Sequence, residues 1–274
     1  MNWKTALALS LLLAGCDEAT DEAPATLEPG PHTDTGQGCG AEPLFAEEAA
    51  RQAGGRVQAP FGAPLTVFLN RAGGLFGGGP SDSAYNTSSL LRAPAQLPAF
   101  SGDDAAWGDL TDCLRERFAL YGVDFTDLEP PAGRYAELVV GGTPEHVGRA
   151  GLGGMAPYDT SGCQPIDTGI GFVFSDLIGT GERLCEVAAH QLGHLLSLEH
   201  AAHCADTMSA LPGCGLEGFQ DEVVLCGAYS AAPCACRGGQ QNSVEALVDL
   251  LGPQRAPPLG AADLAPPTVA LLDP

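Results

Sequence analysis

Apolar positions along the chain fall into a few strong patterns separated by long stretches with none. The first is Pro64-Leu65-Thr66-Val67-Phe68-Leu69-Asn70, rich in β-branched and aromatic side chains, which reads as a strand. A glycine-rich segment at 72–83 follows and reads as a loop. Trp107, Leu110, Leu114, Phe118 and Tyr121 then recur at helical spacing until Gly122, and Ser101 with Asp104 offers a capping-box-like start. Cys113 falls on or near the buried face of that helix. Two apolar runs bounded by Gly and Asp, 136–141 and 169–175, predict central or nearly central strands. A second helix is predicted over 182–196, with Leu184, Val187, Ala188, Leu192 and Leu195 on one stripe. Strand, helix, strands, helix is the order of an α/β or α+β domain. A cysteine-dense irregular stretch at 204–236 and a short helix at 243–251 come next. The Pro-rich end, 256–274, has no core pattern, although 266–272 reads as a single strand or the stump of a further β-domain. There is no internal repeat.

Composition narrows this picture. With 45% hydrophobic and 17% charged residues in 274, disorder throughout is excluded. Twelve Lys and Arg against 34 Asp and Glu give a net charge of −22, which repels phosphate backbones and excludes nucleic acid as an electrostatic partner. At the start, Lys4 precedes an apolar run, Ala6 to Leu13, that is too short to span a bilayer and reads as a cleaved export signal. Its end, Leu13-Ala14-Gly15-Cys16, resembles the lipobox of bacterial lipoproteins. That resemblance implies removal of residues 1–15, acylation of Cys16 and a lipid anchor in the bacterial cell envelope. Residues 16–38 are acidic and rich in Pro, Thr and Gly, and read as a tether. The folded domain is then expected over 39–252, with a tail at 253–274.

Export changes how the ten cysteines are read, since exported chains use them for disulfides. Setting Cys16 aside leaves 10 − 1 = 9, an odd number, so at least one is free, metal-bound or paired with another chain. Cys39, in Gly38-Cys39-Gly40, is the candidate for the odd thiol.

The chemistry concentrates in His190-Gln191-Leu192-Gly193-His194-Leu195-Leu196-Ser197-Leu198-Glu199-His200. His190 and His194 are four apart on a predicted helix, so both imidazoles leave one face within reach of a single ion. If the helix ends near Ser197, the chain can turn back so that His200 supplies a third nitrogen, leaving a fourth position for water.

This spacing resembles the metzincin zinc signature, H-E-x-x-H-x-x-G-x-x-H, and Asp206-Thr207-Met208-Ser209 resembles the methionine turn that metzincins carry under the metal. The resemblance covers 57–226 and is specific only over 182–209. It implies an α+β (α/β) domain with a mixed twisted sheet, a long helix, an active-site helix and a disulfide-rich irregular C-terminal part. It also implies Zn(2+) on His190, His194 and His200 above Met208, and hydrolysis of peptide bonds. The strand before the active helix lines the substrate cleft in that family, and Phe172-Val173-Phe174 stands there; core packing is the better reading of these residues.

Two positions depart from the signature. Ser197 replaces the glycine, which is tolerable if the backbone there is not strongly left-handed. Gln191 replaces the glutamate that in metzincins moves the proton from water to the leaving amine, and an amide cannot titrate. Activity is therefore expected to be impaired or absent. Glu186, one turn before His190, and Glu199, just before His200, are the carboxylates that could substitute; each also reads as a solvated group or one that orients a ligand histidine. His203 is a further candidate ligand or acid, or a plain loop residue. Cys185 and Cys204 flank the signature as disulfide staples, and Cys163 or Cys214 is a partner for one of them. The resemblance also allows Cys39 to reach the metal as an inhibitory switch. Three functions remain open on this reading: a weak peptidase acting on peptides or proteins, a zinc-containing pseudoprotease that binds a peptide or partner, and a structural lipoprotein with an empty site.

Overall fold

The computed structural model describes residues 64–253 other than residue 132. The export signal, Cys16, the tether, Cys39 and the Pro-rich tail all lie outside the described residues. In chain order the elements are β1 (Leu65–Asn70), β2 (Gly74–Gly78), β3 (Thr87–Ser88), β4 (Ala95–Leu97), α1 (Asp104–Arg117), β5 (Val123–Thr126) and β6 (Ala136–Val140). They continue with β7 (Gly154–Met155), β8 (Ile170–Val173), a single turn α2 (Ser175–Ile178), α3 (Glu182–Leu195) and α4 (Ser243–Leu251). This is an α+β arrangement with disulfide-bonded cysteines in its C-terminal part.

The main sheet has the order β5-β1-β6-β8-β7. Its first four strands run parallel, and β7 closes one edge antiparallel to β8, with Met155 opposite Phe172. Parallel strands are stable only with both faces covered, and the sequence supplies both covers. On one face Val67, Leu69, Leu138 and Val140 pack with Trp107, Leu110 and Leu114 of α1 and Leu184, Ala188 and Leu192 of α3. On the other, Val139, Ile170 and Phe172 pack with Phe76, Leu91, Leu97 and Met155. Each of the buried Val, Leu, Ile, Phe and Met side chains among these contributes about 1.5–3 kcal/mol. All five residues of β6 are buried, as expected of a central strand for its apolar positions and beyond that expectation for Glu137.

The second cover is where the sequence reading needs correction. Residues 72–83 are not simply a loop, because β2 lies within them and heads a small sheet of order β3-β2-β4. Its glycines permit close backbone approach: a methyl group added at Gly78 would stand 2.5 Å from the Leu91 carbonyl oxygen. Phe76 is the buried anchor, edge-on to Phe172 at 5.5 Å. The start of α1 also differs from expectation. Asp103, not Ser101, is the N-cap, its carboxylate accepting from the Ala106 N–H at 2.8 Å. Ser101 instead donates to Asp176 at 2.6 Å. The helix ends at Arg117, so Phe118 and Tyr121 continue its apolar face from beyond it.

The eight cysteines among the described residues pair as Cys113–Cys185, Cys163–Cys236, Cys204–Cys214 and Cys226–Cys234. Cys204 thus takes Cys214, one of the two partners expected, whereas Cys185 bonds across to α1. Residues 204–236 carry neither helix nor strand, as their composition predicts.

Candidate metal centre

The centre is built at the C-terminal end of α3. His190 and His194 are both buried there. The helix then stops on a Schellman turn, in which the Ser197 N–H donates to the His194 carbonyl at 2.7 Å and the Leu198 N–H to the Gly193 carbonyl at 3.0 Å. That turn puts Ser197 at φ 59, inside the left-handed region, contrary to the condition under which serine looked tolerable. The serine is kept there by its hydroxyl, which donates to the Gln164 carbonyl and accepts from the Asp159 N–H. Beyond the turn the chain folds back and delivers His200.

One ring nitrogen from each of His190, His194 and His200 lies within 4.8 Å of the others, so the group could hold a metal ion. Two second contacts make this more than proximity. The Nδ1 of His190 lies 2.7 Å from the Thr207 carbonyl oxygen, and that of His194 lies 2.8 Å from the Leu198 carbonyl oxygen. A carbonyl only accepts, so each Nδ1 carries a proton, and in the neutral ring each Nε2 then presents a lone pair. These two lone-pair nitrogens face each other at 3.1 Å. Facing lone pairs repel unless a cation or proton lies between them, and ligands on one tetrahedral ion at about 2.0–2.1 Å stand about 3.3–3.4 Å apart. The donor set therefore fits an imidazole-bound transition metal.

The floor of the site is the 206–209 turn. Asp206 accepts from the Met208 N–H at 2.8 Å and the Gln220 N–H at 3.2 Å, and the Ser209 N–H closes on the Asp206 carbonyl at 2.9 Å. Burial pushes the Asp206 carboxyl above its usual range, and these hydrogen bonds oppose that shift. Met208 is fully buried directly under the helix; a methyl group added at Gly193 would stand 2.3 Å from its sulfur.

The other predicted residues separate by position. Gln191 is buried, and its side chain lies so close to β7 that a methyl group at Gly154 would stand 2.9 Å from its Cγ. Glu186 is buried, ion-paired with Arg117 and accepting from the Thr207 hydroxyl at 3.1 Å. Burial raises its pKa, and Arg117 is the chief opposing influence. Glu199 binds the chain instead: its two oxygens accept from the Cys236 N–H at 2.9 Å and the Ala235 N–H at 3.1 Å. It also lies beside Cys226 and Cys234, but those sulfurs form a disulfide and offer no thiolate. His203 is not one of the grouped histidines; its Nε2 lies 3.6 Å from Glu222.

Sequence reasoning missed four participants. The carbonyls of Thr207 and Leu198 carry no side-chain signal, and Arg117 becomes relevant only once α1 packs on α3. Tyr158 stacks on His194 with ring centroids 5.1 Å apart and planes 31° apart, yet its segment has no periodic pattern that would place it. No protein-family model and no curated protein matches the chain.

Proposed function

We propose that the chain is a metzincin-like zinc protein of the bacterial cell envelope, anchored through Cys16, whose residual activity is slow hydrolysis of peptide bonds. The observation that carries the reading is the pair of Nε2 atoms 3.1 Å apart, each on a ring whose Nδ1 faces a carbonyl. His200 on the returning chain and Met208 beneath the helix agree with the signature, and four disulfides agree with an oxidising compartment. Zinc bound at the three histidines supplies Lewis-acid polarisation of a peptide carbonyl and of water. Gln191 orients a water by hydrogen bonding and accepts no proton.

Gln191 also favours a second reading, a pseudoprotease that retains zinc and binds a peptide or protein without cutting it. One experiment separates the two and tests the metal. About one zinc per chain is expected in the wild type and none in His194→Ala; equal content in both removes the metal reading. On the same samples, a peptide-library digest with and without chelator is expected to show weak, chelator-sensitive cleavage. Gln191→Glu is expected to raise it by about 10²- to 10⁴-fold, the usual worth of a general base. Full zinc with no gain in Gln191→Glu leaves the binding role.

A further inference from the structure

From Leu184 to Leu195 every residue of α3 is buried, and eleven of these twelve positions are apolar, small, or belong to the signature. The exception is Glu186. A carboxylate taken out of water needs compensation; Arg183 on the same helix adds a favourable charge, and the ion-pair and hydrogen-bond partners of Glu186 lead to the metal centre. Arg117 reaches it from α1, one helical turn beyond the Cys113–Cys185 disulfide that joins the two helices. The same guanidinium donates to the Leu216 carbonyl at 2.9 Å, and Gly218 lies so close that a methyl group there would stand 2.8 Å from Arg117 Nη1. The Gly218 carbonyl accepts from the Thr207 N–H at 3.0 Å, and the Thr207 hydroxyl returns to Glu186 at 3.1 Å. The ring of contacts is closed: Glu186, Arg117, the 216–218 backbone, Thr207, and Glu186 again. Thr207 is thus held at both its N–H and its hydroxyl, and its remaining polar group, the carbonyl, stands 2.7 Å from His190 Nδ1.

We propose that Glu186, held by Arg117, is a positioning residue that fixes Thr207 and through its carbonyl locks the proton of His190 on Nδ1, leaving Nε2 free for metal. This rests on reading the three histidines as a metal centre. Glu186 touches neither ion nor substrate; it sets how well His190 is aimed, and partners of metal-ligating histidines commonly change affinity by about 10- to 100-fold.

The test uses the whole protein, ¹⁵N-labelled on histidine, both metal-free and titrated with Co(II). Thr207→Val removes the hydroxyl at constant shape, Thr207→Ser restores it, and Glu186→Gln removes the charge. In the metal-free wild type the His190 ring nitrogens are expected to show the Nδ1–H tautomer. Thr207→Val and Glu186→Gln are expected to convert it toward a mixture and to weaken Co(II) binding about 10- to 100-fold. Thr207→Ser is expected to restore both readouts. Should Glu186→Gln fail to fold with Arg117 left unpaired, Thr207→Val decides alone. A Thr207→Val protein with the wild-type tautomer and wild-type Co(II) affinity overturns the proposal. If the wild type binds no Co(II), the metal reading fails, while the metal-free tautomers still decide whether Glu186 and Thr207 position His190.

Discussion

Single residues at this centre are constrained by distance more than by chemical type. Gly193 shows it best. In an ordinary helix interior Gly→Ala stabilises by about 1 kcal/mol, but here the added methyl group meets the Met208 sulfur at 2.3 Å. Overpacking of this kind costs about 1–3 kcal/mol, so Gly193→Ala is expected to lower stability despite the better helix former. The denaturant midpoint checks this; a rise would mean that Met208 moves aside freely. The three histidines were legible from sequence because their geometry is local: a four-residue helical spacing and one turn bring them together. Ser197 was misjudged at the same scale. Its left-handed φ follows from the Schellman hydrogen bonds, and the hydroxyl contacts that hold it reach Gln164 and Asp159, more than thirty residues away.

Among the elements, those with strong periodicity were read nearly to their ends: α3 was expected over 182–196 and spans Glu182–Leu195, and α4 agrees at both ends. The strands that escaped are short or at edges. β5 has four residues, of which only Val123 is fully buried, and β2 is three-fifths glycine. β2 carries no alternation, and that of β5, Val123 and Phe125 against Asp124 and Thr126, is too short to announce a strand. The central strand β6 holds an unexpected group, Glu137, buried on the face beneath the small sheet. Its Oε1 accepts from the Asn70 amide at 2.8 Å, while Oε2 has no hydrogen-bond partner. Burial, reinforced by Glu129 and opposed by the Asn70 hydrogen bond, pushes this carboxyl from 4.5 up to about 7. The folded state therefore holds this proton more tightly than the unfolded chain. The associated stability is complete below about pH 4.5 and is lost as pH rises through about 7. At most about 3.5 kcal/mol is involved, from the roughly 1.4 kcal/mol per unit of pKa. Glu137→Gln is expected to flatten that decline, as followed by chemical denaturation across the interval; an unchanged slope would show that Glu137 is ionised in the folded protein.

At the scale of the molecule, pairings distant in sequence decide the fold, and these are what one sequence withholds. Sheet order, the covering of β6 on two sides and the partner of Cys185 all depend on which elements meet. The Cys113–Cys185 and Cys163–Cys236 bridges span 72 and 73 residues, and their spans overlap between 163 and 185. Any single backbone cut between Cys113 and Cys236 therefore falls inside at least one closed covalent loop. An exposed site such as Leu128, in the connection from β5 to β6, can be nicked by a foreign protease without either fragment leaving. Such a nicked chain is expected to migrate as one species on a non-reducing gel and as two once reduced. In an environment full of hydrolases, the two bridges make a first cut between Cys113 and Cys236 survivable: the histidine centre stays attached to every part of the domain that holds it in place.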